Sequence, residues 1–135
     1  MAVLVLTDAV ITVNSVALSD HANSVTVNYE IDSVETTAFG STGHKFTGGL
    51  QNNSLDIEFM QDFAASNVEA TVYPLVGTTT TVTVKATSAA TSATNPLYTI
   101  SNAFLAAHTP VAGAVGELLM TTLSFTGGTI VKTTS

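Results

Sequence analysis

The stretch Val25-Thr26-Val27-Asn28-Tyr29-Glu30-Ile31-Asp32 alternates apolar and polar side chains without a break. A period of two is the signature of a β-strand with one face against a core and one toward water, because successive side chains leave opposite faces of the strand. The same pattern recurs downstream. Leu55, Ile57 and Phe59 alternate with Asp56 and Glu58, and Val82, Val84 and Ala86 alternate with Thr81, Thr83 and Lys85. Leu119, Thr121, Leu123 and Phe125 share one face of a further run, whose opposite face is made partly apolar by Leu118 and Met120 and is therefore expected to be covered as well. Ala2 to Leu6 is apolar on both faces, and its second cover is expected to be another subunit. Weaker strands are expected at Ile11 to Asn14, at Val16 to Leu18 after an Asn14-Ser15 turn, at Val34 to Phe39 and at Leu97 to Leu105. Short β-branched runs parted by Asn, Ser, Gly and Pro clusters are the spacing of a sandwich or barrel.

One helix interrupts the strands. Ser66 and Glu69 have the S-x-x-E spacing of a capping box, in which each side chain satisfies an unpaired backbone N–H. Val68, Val72, Leu75 and Val76 supply the apolar stripe and Gly77 the stop, so a packed helix is predicted over about Ser66 to Val76. Pro74 should kink or shorten its last turn. Two long connections stand out: a glycine-rich loop over about Gly40 to Asn53, and a Ser/Thr/Ala/Asn stretch from Thr87 to Pro96. In a compact domain such loops are more often functional or interfacial than idle.

Composition narrows the function. The 135 residues amount to one domain, 1–135, and carry 45% hydrophobic but only 10% charged residues, against about 25% charged in ordinary globular domains. Some surface should therefore belong to a partner. Ten acids oppose three lysines (Lys45, Lys85 and Lys132), no arginine is present, and the net charge is -7. Phosphate binding depends on Lys/Arg neutralisation and base reading on bidentate Arg, so nucleic-acid recognition is disfavoured. With no cysteine there is no disulfide framework, thiolate metal site or cysteine nucleophile. No run approaches the roughly 20 apolar residues that span a bilayer, and Met1 to Leu6 has neither the basic start nor the length of an export signal. A product that is made in the cytosol and stays soluble or assembles, without membrane contact, is expected.

No catalytic or cofactor motif survives inspection. His21, His44 and His108 lack ligand spacing and are expected at the surface or in loops, without metal. Glu30/Asp32 and Asp56/Glu58 are explained by the wet face of regular strands more simply than as a glycosidase pair. Gly40-Ser41-Thr42-Gly43 and Gly48-Gly49 lack the phosphate-loop lysine, and no G-x-S-x-G elbow occurs. The six phenylalanines read mostly as core, except Phe46, which sits beside Lys45 in the long loop and is the candidate intersubunit anchor.

Several strings in order carry a family likeness. Leu18-Ser19-Asp20-His21, the strand Ser24 to Tyr29, and Val34-Glu35-Thr36-Thr37-Ala38-Phe39-Gly40 are similar to the opening of the major tail tube proteins of long-tailed, non-contractile (siphovirus-type) phages. Gly49-Leu50, Gln61-Asp62-Phe63-Ala64-Ala65, Val68 to Leu75, Val84 to Ala89, Asn95 to Thr99 and Pro110 to Leu118 resemble the same family. The likeness runs from about Thr12 to Thr134. It implies a mainly β sandwich or barrel of tail-tube type with one packed helix, hexameric rings stacked into a hollow tube, a place in the virion tail after assembly in the host cytoplasm, and no enzymatic role. Tape-measure, terminator and tip proteins are the implied partners, and genomic DNA would pass through the lumen without specific binding.

An acidic or neutral wall lets DNA slide where a basic one grips it. Glu30, Asp32, Asp56 and Glu58 are the lumen-facing candidates, taken as opposite core residues on the two clearest half-exposed strands. Val3, Leu4, Val5, Lys45, Phe46 and Leu50 are the intersubunit candidates. A tail terminator, a capsid decoration protein, or a secreted β-sandwich binding or adhesin module are the alternatives.

Overall fold

The computed structural model describes residues 4–134. Ten strands form: β1 (Val10–Val13), β2 (Val16–Ala17), β3 (Ala22–Asn28), β4 (Ile31–Glu35), β5 (Phe46–Gln51), β6 (Ser54–Met60), β7 (Thr79–Lys85), β8 (Leu97–His108), β9 (Met120–Thr126) and β10 (Thr129–Thr133). Eight belong to one sheet of order β2-β1-β7-β8-β9-β6-β3, with β10 also on β8; β4 and β5 pair only with each other. Every pairing is antiparallel.

Alternation does what the sequence implies in most of these strands. Ile11 and Val13, Leu55, Ile57 and Phe59, Val82 and Val84, Ile100, Ala103 and Leu105, and Leu123 and Phe125 turn to one side and merge into a single core. The two end strands of the sheet, β2 and β3, are not hydrogen-bonded to each other. Asn14 and Ser15 take left-handed backbone angles between β1 and β2, the form a two-residue hairpin needs.

The opening stretch is divided. After Asn28 the chain leaves the large sheet, and from Ile31 it pairs with β5 alone. Tyr29 and Ile31 are 59% and 50% exposed, so the apolar side of the alternation continues past the core into solvent. The predicted loop over Gly40 to Asn53 is corrected accordingly: its second half is β5, and the irregular part is the turn 36–45. Gly49 fits there because a side chain would press within 3.0 Å of Val34 and 3.3 Å of Asp32 across the pair.

The helix is shorter than predicted. α1 spans Val68–Val72, and Tyr73–Leu75 tightens into a 3-10 turn at Pro74. No capping box forms. Asn67 is the cap position and makes no side-chain cap bond, Ser66 has a left-handed φ of 65°, and Glu69 is drawn instead to Gln61 and His108. Val68 and Val72 are fully buried in the shared core.

The strand β10 was not among the expected elements. It follows Gly127-Gly128, both at positive φ, and takes over the edge of β8 from Leu97 to Ser101 where β9 gives out. The sheet forks there. Asn53, 2% exposed, holds the fork: its amide nitrogen donates to Gly128 O and Gln51 Oε1, while its oxygen accepts from Glu30 N.

Candidate functional site

Strand directions give the molecule two ends. β3 starts at Ala22 opposite Phe59 and finishes at Asn28 opposite Ser54, so the β4–β5 hairpin leaves from one end, the arm end. β6 exits at the other, basal end into α1, and β9 enters there at Met120, paired with Met60.

The arm is built as a free-standing pair. Its root is closed by Asn52 N donating to Glu30 O at 2.8 Å, and its turn by Thr36 N to Lys45 O at 2.8 Å and Lys45 N to Thr37 Oγ1 at 2.9 Å. His44 Nδ1 donates to Glu35 Oε2 at 2.6 Å, as does Thr37 Oγ1 at 3.0 Å. No residue of β4 is buried, and Val34, Phe39, Phe46 and Leu50 are 49%, 109%, 61% and 80% exposed. An isolated two-stranded hairpin is at best marginally stable in water, so these side chains lack the cover that β-pairs normally require. Beside the arm root, Val27, Tyr29, Tyr98, Ile130 and Lys132 line an open groove of about 570 Å³.

The basal end is tied by a polar chain. His21 Nε2 donates to Asp62 Oδ2 at 2.8 Å and Nδ1 to Asp20 Oδ1 at 2.9 Å. Asp62 also accepts from Ala64 N and Asn67 Nδ2. Gln61 Nε2 donates to Glu69 Oε2 and Pro110 O, and His108 Nε2 donates to the same Glu69 oxygen at 2.9 Å. Thr121 Oγ1 gives its hydrogen to Thr109 O and lies 3.1 Å from His108 Nδ1. The Asp62 and Asp20 carboxylates raise the His21 pKa, while the Ala64 N–H and then His21 lower that of Asp62. The surface expectation thus holds for His44 but fails for His108, whose side chain is 3% exposed, because β8 runs three residues beyond the expected end at Leu105 and carries the ring under α1. Next to this network a cleft of about 340 Å³ opens between Tyr73, Val76, His108 and Pro110. Phe63, Tyr73, Val111, Val115 and Leu118 are all more than half exposed around it.

The lumen candidates separate into two pairs. Asp56 and Glu58 share the outer face of β6, where Ser124 Oγ donates to Asp56 at 2.8 Å and Asn23 Nδ2 to Glu58 at 3.1 Å. Their cross-strand neighbours are Thr26 and Ser24 on β3 and Ser124 and Thr122 on β9, a face of hydroxyls and carboxylates. Glu30 and Asp32 do not join it. They lie at and beyond the strand break, in the arm, with exposed residues on both faces rather than core behind them.

Of the intersubunit candidates, Val3 lies outside the described residues. Leu4 and Val5 are 55% and 82% exposed and outside any strand, and Lys45, Phe46 and Leu50 are exposed on the arm. Lys45 lies in the hairpin turn and Lys132, opposite Tyr98, lines the groove beside the arm root, whereas Lys85 lies opposite Val10, whose pocket also takes in Asp20 and Ala22 of the basal side. The basal end carries Asp20, Asp62, Glu69 and Glu117. Sequence reasoning missed the basal apolar cluster because no single string contains it; it is assembled from α1, its 3-10 turn and the 109–119 loop. Among the described residues no group of three or more His, Asp or Glu is placed to hold a metal ion, and no helix is long and apolar enough to cross a membrane.

No protein-family model and no curated protein matches this sequence. Solved structures do match in shape. A chain of the PVC sheath/tube terminator in the extended state, from an extracellular contractile injection system, aligns with a TM-score of 0.73 at 12% identity over 98% of this chain and 97% of that one. A chain of the native gene transfer agent virion gives 0.72 at 12% identity over 93% and 95%. Hcp1 from Flavobacterium johnsoniae gives 0.53 at 15% identity over 93% and 98%. The chain therefore has the mainly β fold found in tube-type proteins of tail and injection machines.

Proposed function

We propose that this chain is a non-enzymatic structural subunit of a phage-type tail, polymerising into the tail tube of a long-tailed phage as stacked hexameric rings. The observation that carries this reading is the arm: a hairpin with no covered face on a chain with few charges is stable only when other copies bury it. The tube-type fold supports the same reading. Subunits meeting neighbours beside, above and below can each bury about 800 Å² per contact, and contacts repeated along a tube add up.

The β6 face with Asp56 and Glu58 is the best candidate for the bore, since hydroxyls and carboxylates without arginine offer a DNA polyanion nothing to grip. In this reading the genome passes through without specific contacts, and tape-measure, terminator and tip proteins are the partners. The complex resides in the virion.

A terminator role is the second reading, favoured by the shape match to the PVC sheath/tube terminator structure. Negative-stain microscopy of the purified protein separates the two. Open-ended hollow tubes are expected for a tube subunit; rings that never stack would select the terminator, and a monomer at all concentrations would remove both.

A further inference from the structure

We propose that copies join head to tail, with the arm tip of one copy seated in the basal cleft of the next; this rests on the self-assembly reading above and names the two surfaces that meet. The tip and the cleft lie at opposite ends of the sheet, so one molecule carries both halves of the contact. Two different patches on one chain make a heterologous interface, which extends indefinitely instead of closing on itself as a symmetric dimer does.

The chemistry of the two surfaces matches. Phe39 stands fully exposed at the tip, and the cleft offers Tyr73, Val76 and Pro110 as apolar walls with His108 at its floor. An aromatic side chain entering a cleft with aromatic and proline walls buries about 150–250 Å², the area typical of an interface anchor. Charge gives the direction. Residues 36–46 of the tip contain no carboxylate and carry Lys45, whereas the arm's acids Glu30 and Asp32 sit at its root and Glu35 is held by His44. The basal rim is acidic through Asp20, Asp62, Glu69 and Glu117. Tip against base therefore pairs opposite charges, and tip against tip opposes two Lys45 ammonium groups.

The absence of native cysteine makes the test clean. Ala38→Cys, beside the tip phenylalanine, and Ala70→Cys, on the helix surface next to the cleft, are introduced into separately tagged copies, both positions being exposed. Mixed under assembly conditions with a short bis-maleimide, they are expected to give hetero-linked dimers at least tenfold in excess of Ala38→Cys self-linked dimers. Tubes that form normally but yield self-linked tips, or no hetero-link, overturn the proposal and leave the assembly reading intact; absence of any polymer in the unaltered protein overturns both. Independently, Lys45→Glu is expected to raise the concentration needed for assembly at least tenfold at low salt while leaving the circular dichroism melt unchanged. An unaltered assembly threshold in that variant would contradict the charge pairing.

Discussion

At the residue scale, Gly128 is the least replaceable position in view. Its φ is +79°, and a Cβ there would lie 2.3 Å from Ser101 O, whereas Gly127, at +76°, has open space around its Cβ direction. Left-handed backbone costs a non-glycine residue about 1–2 kcal/mol, so Gly127→Ala should lose about that much in denaturant unfolding. Gly128→Ala must in addition push two strands apart, and a loss of about 3 kcal/mol or more is expected. Equal losses in the two variants would mean that β10 does not approach β8 as described. Asn53→Ala leaves Gly128 O and Glu30 N without their partner, and removal of a buried hydrogen-bonding group of this kind costs about 1–3 kcal/mol. Neither position is marked in the sequence by anything stronger than a glycine pair and an asparagine pair. The contact that makes each indispensable comes from a strand far away in the chain.

The His21–Asp62 pair belongs to the same scale and has a pH signature. Contact with Asp62 and Asp20 raises His21 above its ordinary 6.5, so its share of stability is full below about 6.5 and fades as pH rises through the raised value. Asp62 is lowered from 3.8, so its share is full above about 3.8 and fades as pH falls through the lowered value. The stability gap between the native chain and His21→Asn should be widest near pH 5 and narrow by pH 9 in thermal melts. A gap independent of pH would show that the ring acts by shape alone.

At the scale of elements, legibility followed whether a strand's two faces meet different surroundings. In β6, β7 and β9, core lies on one side and a polar face on the other, and the twofold alternation reports both. In the arm, the same alternation runs straight through Tyr29 and Glu30, because an apolar face left exposed is written like one facing a core. The break was therefore invisible, and with it the separation of Glu30 and Asp32 from Asp56 and Glu58. The helix misled in a different manner: Ser66 and Glu69 have the right spacing, but Gln61 and His108 compete for the glutamate and no local rule anticipates them. β10 could have been read from Thr129-Ile130-Val131 after a double glycine. The arm also makes its own test. Amides of β4 and β5 should exchange with deuterium rapidly in dilute monomer, since an uncovered pair opens easily, and become protected on assembly, whereas β6 and β9 should be protected in both. Arm amides already protected in the monomer would leave assembly without its motive.

At the scale of the whole molecule, uneven charge and uneven burial point the same way. Excess acid with no arginine leaves a surface that does not retain polyanions, so no shift of duplex DNA is expected in gel or filter assays even near 50 mM salt, where nonspecific electrostatic binding is strong. Salt-sensitive retention of DNA by the assembled form would instead expose a basic lining.

The placement of the arm tip at one end of the molecule has a practical corollary. If copies stack as proposed, each arm tip is shielded by the copy that follows, save at a single terminus. A maleimide-linked gold or dye tag applied to preformed filaments of Ala38→Cys, in a chain otherwise without cysteine, would then decorate one extremity of each filament and distinguish its growing and trailing ends.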